Sequence, residues 1–101
     1  MTRLQDTHRR INAEIAQEKA AALGRAGERL EAALAHAMSL DRQLDTTRDP
    51  DEHARLLGEY ESARMRAIHA RLALVIQREA LGLRHHRMVD QQFPEPPRRT
   101  R

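Results

Sequence analysis

The chain contains no cysteine and no tryptophan, and its only aromatic residues are Tyr60 and Phe93. The missing cysteine removes disulfide staples, thiolate metal sites and cysteine nucleophiles together. With so few aromatics, a core must be built from Ala, Leu, Ile, Val and Met, which suit helix packing better than sheets. No serine-centred nucleophile motif, phosphate-binding loop or dinucleotide fingerprint occurs. The longest apolar run, residues 72–76, is far too short to span a bilayer, and the opening MTRLQDTHRR has no apolar leader core. The expectation is a soluble, unexported, cytoplasmic protein. Lys19 is the single lysine among 18 basic residues, and this arginine bias fits a G+C-rich bacterial genome.

The net charge of +3 is localised. Residues 1–97 balance 15 basic against 15 acidic side chains, so the excess is Arg98, Arg99 and Arg101. A folded nucleic-acid binder carries its basic surface on the domain itself, because phosphate contacts supply much of the affinity.

What the chain does have is helical periodicity. Leu4, Ile11, Ile15, Ala22, Ala26, Ala33, Ala37, Leu40 and Leu44 recur at steps of three, four and seven, the spacing of one helical face. Thr2 followed by Gln5 reads as a capping box. The pattern predicts a helix over about 3–46. Asp49-Pro50-Asp51-Glu52 then supplies an N-cap, a proline preset for the first turn and acids facing the helix dipole. Leu57, Tyr60, Ala67, Ile68, Leu72, Val75, Leu81, Met88 and Val89 carry a second helix over about 50–91, until Pro94, Pro96 and Pro97 stop it. The turn at 47–49 is short enough to force an antiparallel helical hairpin, with residue i facing roughly residue 95 minus i. The domain is residues 1–93, and 94–101 read as a disordered Pro/Arg tail.

A two-helix seam seldom stabilises a protein alone. Residues 72–76 are apolar all round the helix, as in a segment contacted on more than one side. The expectation is an all-α hairpin paired as a homodimer into a coiled-coil-like four-helix bundle, with Ile68, Leu72, Leu74, Val75 and Ile76 at the interface. The alternative is a monomer whose termini fold back over the seam.

Several polar groupings invite chemistry. His85 and His86 are adjacent and so point about 100° apart on a helix, and Arg84 and Arg87 flank them, which argues against a metal site. The hairpin register sets Glu14 and Glu18 near Arg78. That trio reads either as an inter-helix ion pair fixing register or as a polar enzyme site within the bundle. Arg3, Arg9, Arg10, Arg84 and Arg87 collect with the tail arginines Arg98, Arg99 and Arg101 at the open end, while Asp41, Asp45, Asp49, Asp51 and Glu52 collect at the turn. The basic end motivates an anion- or nucleic-acid-binding alternative.

Two stretches, EIAQEKAAALGRAGERLEAAL at 14–34 and VIQREALGLRHHR at 75–87, resemble an uncharacterised family of short bacterial α-helical proteins, a domain of unknown function. The resemblance implies an all-α fold and carries no catalytic residue. The leading expectation is a non-enzymatic, self-associating hairpin that acts as a small interaction or scaffold protein with no cofactor and no membrane contact. Anion binding and the polar enzyme site are the alternatives.

Overall fold

The computed structural model describes residues 2–100, and among these there are three helices and no strand. Helix α1 spans Arg3–Thr46, α2 spans Pro50–Ala80 and α3 spans Arg87–Gln92. The capping box at the start of α1 is present: the Gln5 amide donates to Thr2 Oγ1 at 3.2 Å, and the Thr2 amide donates to Gln5 Oε1 at 2.9 Å. Asp49 caps α2 by accepting from the Glu52 amide at 3.0 Å, with Pro50 at the first helical position. At 1.5 Å per residue the 44 residues of α1 run about 66 Å, which sets the length of the 72 × 21 × 14 Å molecule.

The antiparallel hairpin is as the short turn requires, but α2 ends at Ala80 rather than near residue 91. The cause is Gly82, which sits at φ +84°. Its amide donates to the Glu79 carbonyl at 2.9 Å, and the Leu83 amide donates to the Arg78 carbonyl at 3.0 Å. This pair of bonds is the Schellman termination, and the left-handed residue it needs is cheapest as glycine. Arg78 then fastens the following turn: its Nη2 donates to the His85 carbonyl at 2.9 Å and its Nε to His86 Nδ1 at 3.2 Å. The chain reverses over residues 81–86, and α3 runs back against the hairpin.

The core lies in two clusters along the seam. Near the turn, Ala37, Leu40 and Leu44 of α1 meet Leu56, Tyr60 and Ala63 of α2. In the middle, Ala26 and Leu30 meet Leu74, and Val89 of α3 closes the cluster with Phe93 packed beside it. Arg71 Nε donates to Asp90 Oδ1 at 3.0 Å and pins α3 to α2. The C-terminal segment thus covers the seam as a third layer, and the tail expected to be disordered is docked as far as Arg99.

Candidate interaction surface

Three prolines within residues 94–97 fix most of that segment's φ angles and push Phe93, Glu95 and Pro96, each followed by proline, toward extended backbone. The result is a stiff strap along the groove between α1 and α2. Tyr60 and Arg64, one helical turn apart on α2, read its backbone: the Tyr60 hydroxyl donates to the Pro97 carbonyl at 2.5 Å, and Arg64 Nε donates to the Pro96 carbonyl at 3.1 Å. Arg64 is 8% exposed and also pairs with Glu61 at 2.9 Å. Burial lifts the Tyr60 phenol above the ordinary tyrosine value, and the nearby Asp41 carboxylate adds to the rise.

The strap ends on a charge fork. Arg99 Nη1 meets Asp41 Oδ1 and Arg99 Nη2 meets Asp45 Oδ1, both at 2.7 Å. Asp41 and Asp45 are four residues apart, so they share a face of α1. Bonds to Asp45 and then Asp41 hold the Arg99 guanidinium above its ordinary value. Neither acid suits the C-terminal end of a helix, whose dipole favours cations, and α1 has no basic residue in its last turn. Arg99 supplies that missing cation from the far end of the sequence.

The basic set expected at the open end is therefore divided. Arg3, Arg9 and Arg10 are exposed on the projecting start of α1, and Arg84 and Arg87 are exposed in the turn after α2 and at the start of α3, whereas Arg99 is delivered to the acidic turn with its neighbour Arg98. Arg101 lies outside the described residues. The polar trio is likewise not assembled: Glu14 and Glu18 are exposed on α1, while Arg78 is engaged with His85 and His86. In His86, Nδ1 accepts from Arg78, so Nε2 carries the proton and donates to Glu79 Oε1 at 3.2 Å. Both ring nitrogens are engaged in closing the turn. Among the described residues no group of three His, Asp or Glu side chains is placed to hold a metal ion, and no helix is long and apolar enough to cross a membrane.

The expected interface residues separate by burial. Leu74 is 6% exposed and belongs to the hairpin core. Ile68 and Val75 are half-buried, and Leu72 and Ile76 are exposed at 56% and 55%. Because α2 stops early, the first part of α1 has no helix beside it, and every residue from 2 to 21 is exposed. Leu4, Ile11 and Ile15 stand on this bare arm in the spacing of a helical face. Beside the strap lies an open cleft of about 530 Å³, floored by Leu34, Ala37 and Met38 and walled by Phe93 and Pro96, with Glu31 and Glu95 at its edge.

The spacing of the sequence does not mark Tyr60, Arg64, Asp41 and Asp45 as partners of the tail, since those contacts join residues 32 to 58 positions apart. The one local signal is Phe-Pro-Glu-Pro-Pro-Arg-Arg itself, a rigid extended segment ending in cations, which is the chemistry that aromatic grooves with acidic margins bind. The chain matches no family model, and neither the curated proteins nor the solved structures contain a match to it.

Proposed function

We propose that the chain is a self-associating helical hairpin, a small interaction or scaffold protein that works as a homodimer. One observation carries this reading: α1 projects a bare arm whose exposed Leu4, Ile11 and Ile15 repeat at steps of seven and four. An isolated helix of that length is marginal in water, because helical stability comes mostly from packing an apolar face. A second copy laid against the arm supplies that packing in coiled-coil fashion. Leu72 and Ile76, the exposed members of the expected α2 interface, extend the apolar surface on the second helix.

The test is a solution mass by light scattering at micromolar concentration. The expected value is twice the 11.6 kDa chain mass, falling to one chain mass on Ile11→Glu or Leu72→Glu with helical content in the hairpin retained. A wild-type chain that is strictly monomeric overturns the proposal.

A further inference from the structure

The C-terminal segment is tied to the hairpin by contacts that do not depend on which molecule supplies it. Tyr60 and Arg64 hold two backbone carbonyls, and Asp41 and Asp45 hold one guanidinium. The connection from α2 to this segment is residues 81–86, mostly exposed and turned by one glycine in the left-handed region. We propose that two copies of this chain exchange their C-terminal straps, residues 93–100 of each docking in the groove of the other. This rests on the self-association proposed above and specifies its mode.

The sequence pattern and the reach of the chain support it. Leu81, Met88 and Val89 continue the apolar phase of α2. If residues 81–86 take up helix, α2 extends to about residue 92 and lies along the arm of α1 that is bare in the closed form, covering the face of Leu4 and Ile11. In the dimer the apolar stripe of the arm is shared between its own extended α2 and the second copy, as each helix of a four-helix bundle packs on two neighbours. The tail then cannot return to its own groove. Tyr60 and the end of the extended helix are 32 residues apart, about 48 Å at 1.5 Å per residue. Residues 93–97 span at most about 18 Å fully extended. Pro97 can reach a Tyr60 only on another molecule. Two copies lying antiparallel, the arm of each overlapping the other's hairpin and not its arm alone, bring the end of each extended α2 to the other's groove. Exchange restores the Tyr60, Arg64 and Arg99 contacts of the strap, while Val89 and Asp90 trade their places beside Leu30 and Arg71 for the arm. Swapping an identical element is a low-cost route to a dimer.

The absence of cysteine allows a direct test. Arg42 and Thr100 are both exposed and adjoin the bridged Asp41 and Arg99. Chains carrying Arg42→Cys and Thr100→Cys are unfolded together, refolded as a mixture and treated with a short bismaleimide. Exchange gives a covalent two-chain product that is missing when Arg25→Cys, far from the fork, replaces Arg42→Cys. Gly82→Ala raises the yield roughly tenfold, because alanine is penalised in the left-handed turn and favoured in a continuous helix. A Cβ at Gly82 meets no other atom, so conformation alone drives that change. A mixture that stays uncrosslinked, while the double variant links within one chain and the mass remains that of a dimer, overturns exchange and leaves self-association standing. A monomer mass overturns both.

Discussion

The Tyr60 hydroxyl donates to the Pro97 carbonyl at 2.5 Å across 37 residues of sequence, and this bond reports whether the tail is docked. Tyr60 is the only tyrosine in a chain without tryptophan, so its ionisation is read directly from tyrosinate absorbance. The buried phenol titrates above its ordinary value, chiefly because the strap and the seam keep water from it. A group whose folded pKa is raised favours the protonated fold. Its contribution is fully present below the unfolded value of about 10 and is lost as pH rises through the higher folded value. The expected outcome is a tyrosine titration displaced upward in the whole chain and returned toward about 10 when the chain ends after Gln92. Identical titrations in the two chains would show that the strap does not govern this phenol.

The Arg99 fork contributes less than its geometry suggests. Its guanidinium is 22% exposed and its partners Asp41 and Asp45 are 41% and 62% exposed, so solvent screens both pairs. Arg99→Ala should cost about 1 kcal/mol or less of global stability. Its effect should instead be on the tail, with faster amide exchange at Arg98 and Thr100 and tail docking that weakens as salt is raised. Global destabilisation well beyond that size would mean the fork supports the hairpin itself.

How much of the fold is legible in the sequence depends on the separation of the partners. Thr2, Gln5, Asp49 and Pro50 fix helix starts through contacts three residues apart, so both starts are legible. The end of α2 is not legible in the same way: the apolar phase of Leu81, Met88 and Val89 runs through Gly82 and favours continuation, while a glycine one turn after Arg78 suits termination. Two local rules disagree there, and the turn is closed by Arg78 to His85 and His86, contacts that periodicity does not encode. The groove is the least legible feature. Its donors to backbone carbonyls and its fork of carboxylates become partners only after α3 has reversed the chain.

Asp49 should be the more consequential of the two helix caps. It satisfies an orphan amide of α2 at the turn where Leu44 and Leu56 are buried together. Thr2 caps an exposed arm that packs against nothing in the single chain. Asp49→Ala is expected to cost about 1 kcal/mol in denaturant unfolding. Thr2→Ala should fray the first turn without moving the midpoint, measurable as local amide exchange.

Burial predicts the same asymmetry for leucines. Leu30 is 1% exposed between Leu74 and Val89, and Leu4 is 65% exposed. Leu30→Ala removes packed methyl groups and leaves a cavity, costing about 2–5 kcal/mol. Leu4→Ala should change monomer stability by less than about 0.5 kcal/mol and act on dimer mass. A large effect of Leu4→Ala measured at concentrations where the chain is monomeric would place the arm inside a core that the fold does not show.

Arg64 tests whether the groove recognises backbone or merely excludes water. Its guanidinium spends one face on Glu61 and aims Nε at the buried Pro96 carbonyl. Arg64→Met keeps most of the side-chain length and apolar stem, so packing is largely preserved while the carbonyl loses its donor. Leaving that acceptor unpaired costs about 1–3 kcal/mol. Arg64→Lys retains the charge, but a compact ammonium cannot reproduce the planar fork that serves Glu61 and Pro96 together. If recognition of the backbone carbonyls holds the tail, both substitutions release it and return the Tyr60 titration toward its ordinary value. If burial holds it, Arg64→Met keeps the tail docked and the phenol displaced, and Arg64→Lys alone loosens it.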